Sequence, residues 1–359
     1  MIRHIAIYSA LAALAAATPG CAGSGTTGAL PQETSSRVQV VSPSAHERIR
    51  IREFADLPRY NTYYSPGAIA AGPAGLVWVV DGIDQDFGAN AVVGIATSGK
   101  SKHTYYAGSN YQSFADIAAG PDGALWLTDD FYPHITRLTT TGDFTQYAVS
   151  PNTDPFDITT GPDNALWFTA SASGSSGAIE RLTTKGRVTA YDIPAQPADI
   201  ATGSDGALWF TETSPNGIGR ITTHGKATSY ANGITGTPQA IALGPDGAMW
   251  FTEYSTSSQA KIGRITTSGR VAEYSRGITP GEVLADIAAG PDGAMWFTES
   301  TFGYYYYSPK IGRISMSGHV TEYSKGLPSQ AGPYGIVAGP DGRMWFTDSF
   351  NDETGRVKL

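Results

Sequence analysis

Short apolar runs, rich in β-branched and aromatic residues, recur from about residue 48 to residue 359. Gly, Pro, Asp and Ser separate them, which is the pattern of strands and tight turns rather than helices. One stretch shows the grammar. Gln239 to Leu243 is a short apolar strand. Pro245-Asp246-Gly247 is a turn, since Pro presets φ and Gly accepts a positive φ. Ala248 to Glu253 is a second strand and Lys261 to Ile265 a third. Thr267-Ser268-Gly269 then turns the chain into Arg270 to Tyr274, the fourth.

This unit repeats. Gly-Pro-Asp-Gly-Ala-Leu-Trp-Phe-Thr-Glu and close copies are centred on Trp78, Trp126, Trp167, Trp209, Trp250, Trp296 and Trp345, which uses every Trp in the chain. The spacings are 48, 41, 42, 41, 46 and 49 residues, near the roughly 40–50 of propeller blades. The last unit stops at its third strand, Thr354 to Leu359, while Arg50 to Phe54 has the pattern of a fourth strand. The expected fold is therefore all-β: a seven-bladed β-propeller over residues 48–359. Its four-stranded blades close when the N-terminal strand becomes the outer strand of the last blade, and closure removes free sheet edges.

The repeated Trp reads as core between blades. The third-strand Arg is expected to staple each blade to a fourth-strand carboxylate: Arg264 with Glu273, Arg313 with Glu322, Arg356 with Glu53. The histidines offer little chemistry. His4 and His46 precede the repeats, His103, His224 and His319 fall in outer strands or their turns, and His134 falls in a loop.

The N-terminus adds a destination. A short n-region, Met1 to His4, precedes an apolar run from Ile5 to Ala17, the size of a signal-peptide core and too short to span a membrane. Residues 1–20 read as an export signal and 21–47 as a flexible tether rich in Gly, Ser and Thr. Cys21, the single cysteine, sits where a bacterial lipoprotein is lipidated. The alternative is cleavage after Ala17, which leaves a secreted protein with a free thiol. The expected location is the cell envelope, with any membrane attachment made through the lipid. One cysteine excludes a disulfide framework and a Cys-based zinc site. A net charge of -8 argues against a nucleic-acid binder. A monomer is expected.

The repeat also concentrates acid. Second strands end at Asp81, Asp129, Glu212, Glu253, Glu299 and Asp348, and Asp116, Asp157, Asp199 and Asp286 precede the first-strand Ile. All are expected on one face, the mouth. Counting back from the turn sets Asp286 opposite Glu299, or one step off register if the turn is longer. Like charges so close call for an offset. A hard cation, Mg²⁺ or Ca²⁺, would supply it through Asp116, Asp129, Asp199, Glu212, Glu253, Asp286 and Glu299. The bland alternative is a solvated acidic rim. A loop on the same face carries Tyr304, Tyr305, Tyr306 and Tyr307, a rigid amphipathic surface suited to binding a small molecule or peptide.

The blades resemble those of the streptogramin B lyase (virginiamycin B lyase) family. The resemblance rests on residues 290–299 (Gly-Pro-Asp-Gly-Ala-Met-Trp-Phe-Thr-Glu), Lys310 to Ile314 and Val320 to Tyr323, and covers 48–359. It implies a seven-bladed propeller that uses Mg²⁺ to open a cyclic depsipeptide antibiotic by elimination at its ester. It also implies mouth histidines. One belongs in a Pro-His-Gly-Ile type motif, matched by Pro333 to Ile336 with Tyr334 in the His position. The other belongs two residues past Thr-Glu, where this chain has Ile83, Phe131, Ala172, Ser214, Ser255, Thr301 and Phe350. Tyr334 and Glu299 are the remaining catalytic candidates, and a phenol of ordinary pKa near 10 is a weak base. The leading reading is an exported propeller that binds a ligand at its mouth. The others are an Mg²⁺-dependent lyase and a metal-dependent lactonase or hydrolase.

Overall fold

A computed structural model describes residues 49–359 apart from 55–56, 58–66, 82–90, 108–113, 130–131, 152, 173–175, 256–258 and 302–307. The export signal, the tether and Cys21 lie outside the described residues, as do Tyr304 to Tyr307. The chain divides into two units, Met1–Arg48 and Ile49–Leu359.

The second unit is seven four-stranded antiparallel sheets. Six are simple meanders. The seventh is built from Pro333–Ala338, Met344–Asp348, Glu353–Lys358 and, outermost, Arg50–Phe54. Arg50 pairs with Lys358 and Phe54 with Thr354, which is the closure expected from the two incomplete ends. First strands line the inside of the ring. Ile69–Ala71 touches both Phe114–Ala119 and Pro333–Ala338, so the circle is complete. Meander topology puts the turns between first and second strands, and between third and fourth, on one face. The remaining connections form the opposite face, the mouth.

All seven Trp are buried and pack in clusters that join blades; Trp250, for example, packs with Ile287 and Phe297 of the next blade. Within its own blade each of six Trp stacks on a fourth-strand Tyr, as Trp167 does on Tyr191 at 5.7 Å. Phe54 takes that place over Trp345 at 5.8 Å. The N-terminal strand therefore restores the aromatic stack as well as the sheet edge.

The third-strand Arg pairs differently from the expectation. Arg264 Nε bonds Asp246 Oδ2 at 2.6 Å, Arg313 bonds Asp292 at 2.7 Å and Arg356 meets Asp341 at 3.2 Å. In each case the acid is that of the Pro-Asp-Gly turn, or its equivalent, in the same blade. The other oxygen of the same carboxyl accepts the Trp Nε1–H, at 3.0 Å in Asp246 with Trp250. Sequence spacing favoured the fourth-strand Glu because it lies across the ladder. The turn Asp wins because one carboxylate satisfies two donors, and the Arg then lies over the Trp ring at 5.8 Å in blade five. The Gly opening each turn is required by the same Trp: a Cβ on Gly120 would sit 2.3 Å from the Trp126 ring.

Thr in the second strand joins neighbouring blades. Thr128 Oγ1 accepts from Asp116 N at 2.9 Å and donates to Phe156 O of the next blade at 2.7 Å. Thr169, Thr211, Thr298 and Thr347 repeat the device, the last reaching Gly67 O across the closure at 2.8 Å.

Candidate functional site

The mouth acids separate into two sets with different partners. Between Leu284 and Ile287 the ladder shifts, so Leu284 faces Glu299 and Asp286 N instead bonds Thr298 Oγ1 at 3.1 Å. The five-residue turn closed by Gly290 N to Ala294 O sets this register. Asp286 and Glu299 are thus not an opposed pair. The same shift puts Pro197 opposite Glu212 and Phe114 opposite Asp129.

The first set lines the channel. Asp116, Asp157, Asp199 and Asp286 each keep part of their surface open there. Each also accepts a backbone N–H from the next blade: Ile158 to Asp116 at 3.0 Å, Ile200 to Asp157 at 2.7 Å, Ile241 to Asp199 at 2.9 Å and Ile336 to Asp286 at 2.7 Å. Asp157 stands between Asp116 and Asp199; burial first, then their charges, push its carboxyl well above the usual range. Burial raises Asp116, and lifts Asp199 to about 6 and Asp286 to about 8. Here the bridging amides partly offset the like charges.

The second set turns into the blades and is buried. Asp348 accepts from Gly332 N at 2.7 Å and Phe350 N at 3.0 Å, and Asn351 donates to it at 2.7 Å. Glu212 accepts from Ser229 Oγ, and burial raises its carboxyl. Glu253 accepts from Gly236 N at 3.0 Å; burial and then Glu273 lift it to about 7. Asp81 is lifted to about 7 by burial and then Asp352. Asp129 ends the second strand of blade two and is fully buried.

Blade six is the most crowded. Lys310 Nζ lies 3.0 Å from Glu282, 3.4 Å from Glu322 and 3.9 Å from Glu299. One ammonium cannot balance three carboxylates. Glu299 is the farthest of the three, fully buried, with neither oxygen hydrogen-bonded. Burial and then Glu322 lift its carboxyl to about 9. Glu299 therefore carries its proton at neutral pH, which does not suit a base.

The seven proposed metal ligands thus occupy the channel wall (Asp116, Asp199, Asp286) and blade interiors (Asp129, Glu212, Glu253, Glu299). Among the described residues no three His, Cys, Asp or Glu groups converge in a way that could hold a metal ion.

The feature that sequence reading missed is aromatic. Tyr106, Tyr132, Tyr334 and Phe350 are the exposed large hydrophobic residues among those described. Topology puts all four at the mouth: Tyr106 ends a fourth strand, Tyr334 enters a first strand, and Tyr132 and Phe350 follow second strands. They belong to blades seven, one and two, which are consecutive around the ring. Phe350, 58% exposed, is oriented by the Asp348 bond to its N–H. Its ring lies against Gly332, where a Cβ would come within 2.5 Å of it. None of these residues repeats between blades, so periodicity carried no signal for them. Tyr334 and Phe350 occupy positions where the family resemblance implies a histidine.

Among the described residues no histidine joins this sector except His134, half-buried beside Tyr132, whose ring it faces at 6.5 Å. His103 stacks with Trp78 and Tyr105 at 6.2 and 5.7 Å. His224 and His319 are exposed in or beside turns on the far face.

The fold and this face define a closed seven-bladed propeller with an acid-lined channel and an aromatic mouth. The model of the Virginiamycin B lyase family matches residues 52–299 and 172–359, and the chain belongs to that family. Similar solved structures include a catalytically inactive His-to-Ala variant of virginiamycin B lyase from Staphylococcus aureus with quinupristin. It is 32% identical with a TM-score of 0.72, covering 87% of this chain and 99% of that one. A streptogramin B lyase structure is also 32% identical with a TM-score of 0.72, covering 87% and 98%. YCF48 from Cyanidioschyzon merolae shares the fold at 14% identity and a TM-score of 0.63, covering 86% and 98%. No curated protein matches the chain.

Proposed function

We propose that this chain is a ligand-binding member of its family, which holds an apolar, ring-bearing small molecule or peptide at its mouth and releases it unchanged. The carrying observation is the sector of exposed aromatic residues, Tyr106, Tyr132, Tyr334 and Phe350, on the mouth side of blades seven, one and two. Aromatic platforms suit ligands with rings and apolar edges. The S. aureus relative with quinupristin shows that a family propeller can take such a molecule.

The same relative argues against shared chemistry. Its His-to-Ala variant is inactive, so that enzyme depends on a histidine. Here the Pro-His-Gly-Ile type motif carries Tyr334, 39% exposed, and Glu299 is buried with its proton held. Proton removal from carbon needs a base of suitable pKa within hydrogen-bond reach, and neither residue supplies one. Tyr304 to Tyr307 extend the binding surface in this reading. Export, with anchoring through Cys21, places it in the cell envelope.

Equilibrium dialysis against quinupristin tests the proposal. Binding that falls at least tenfold in Tyr334→Ser/Phe350→Ser, with an unchanged melting temperature, supports it. Undiminished binding in that variant refutes the aromatic site.

A further inference from the structure

The acidic net charge conceals a basic zone. Among the described residues, every exposed Lys or Arg lies in the third-to-fourth-strand turns, along an outer strand or at its ends. Lys100, Lys185, Arg187, Lys226 and Arg270 stand at those turns, Lys358 ends the third strand of blade seven beside Arg50, and Asp143 takes the equivalent turn position in blade two. The turns share the face opposite the mouth, where Arg356 of blade seven bonds both Asp341 of its own turn and Thr97 O in the turn of blade one. The acids nearest the axis on this face do not cancel the charge, because Asp122, Asp163, Asp205, Asp246 and Asp292 are each committed to an Arg of their own blade. A rim that is basic in blades one, three, four, five and seven, and broken by Asp143 in blade two, therefore surrounds a centre of neutralised pairs.

We infer that this turn face docks on an anionic lipid surface, with the mouth pointing away from it. One observation favours lipid over another polyanion: the chain enters the propeller at this face, because Arg50 pairs with Lys358 at the rim. The 48 residues before Ile49, with their apolar run and Cys21, are thus joined there. Basic residues next to an attachment point strengthen adsorption to anionic lipid, and salt screens the effect.

The test is sedimentation of the full chain with vesicles of phosphatidylcholine alone and of phosphatidylcholine with one quarter phosphatidylglycerol, in 100 mM NaCl. The apolar N-terminal run acts equally on both lipids, so the ratio of the two partition coefficients reads the rim. We expect a ratio above about ten that collapses toward one in 500 mM NaCl. Lys185→Gln/Arg187→Gln should lower the ratio several-fold. Ser214→Glu/Asn216→Glu makes the same net-charge change at an exposed mouth hairpin and should leave it nearly unchanged. Melting temperatures identify any variant that fails to fold, and Lys185→Arg, which keeps the charge, must retain the ratio. A ratio near one for the parent chain, equal losses in the two double variants, or retention on heparin without preference for the anionic vesicle would each overturn the inference.

Discussion

Glu299→Gln is the perturbation whose effect follows most directly from the geometry. The carboxyl is fully buried, neither oxygen is hydrogen-bonded, and Lys310 lies 3.9 Å away, closer to Glu282 and Glu322. Folding lifts its pKa from 4.5 to about 9. The folded state therefore keeps a proton that the unfolded chain loses as pH passes its ordinary range. The stabilisation is full below the unfolded pKa and disappears as pH rises through the folded one. The slope approaches about 1.4 kcal/mol per pH unit, so between pH 5 and 8 the ceiling is about 4 kcal/mol. Coupling to Glu282 and Glu322 spreads the titration over several groups, which makes about 2–4 kcal/mol the expected range. Gln is the neutral isostere and does not titrate. The variant and parent should melt within a few degrees of each other at pH 5. The variant should gain steadily to about 4–8 °C at pH 8, at about 2 °C per kcal/mol for a domain of this size. Differential scanning calorimetry from pH 5 to 9 is the assay. A gap that stays constant, or narrows as pH rises, would refute the protonated state.

Other perturbations test the architecture and the mouth. Phe54→Ala removes the ring that stacks on Trp345 and lies beneath Arg356; urea unfolding should show a loss of about 3–5 kcal/mol, and a loss below about 1 kcal/mol would mean the ring closes without this strand. Asp246→Ala strands the Trp250 and Arg264 donors and should cost about 2–3 kcal/mol by the same method. Asp157→Asn keeps one donor in the channel chain but no longer titrates, so its stability relative to parent should rise with pH above the usual carboxylate range; a falling difference would place the proton elsewhere.

The fold was legible because it is written seven times. One Trp per repeat, a fixed turn and an incomplete last unit sufficed to place every blade and the closing strand Arg50–Phe54. The partner of each Arg was not legible, because the turn Asp and the outer-strand Glu are both within reach in sequence. Only the Trp Nε1–H, the second donor on Asp246, decides between them. The mouth was half legible. Its acids were correctly gathered at strand ends, and the longer of the two turns compatible with the spacing is the one that forms, which sets Asp286 beside Thr298, one step from Glu299. Lys310 and Glu282 looked like ordinary strand-end residues until the fold brought them to Glu299. Tyr132 occupies a loop that differs from blade to blade, so neither repetition nor spacing could single it out, and Phe350 was reached only as one of seven positions where the family resemblance implies a histidine.

The central claim is that the mouth binds without reacting. The most direct measurement incubates the purified chain with quinupristin, with and without Mg²⁺, and follows bound and free material by liquid chromatography and mass spectrometry. Elimination would shift the retention at unchanged mass, and hydrolysis would add one water. The account predicts quinupristin retained by the protein and recovered with mass and retention unaltered in both conditions. An Mg²⁺-dependent product of unchanged mass and shifted retention would contradict it, and would mean that the family's chemistry proceeds here with a base other than histidine.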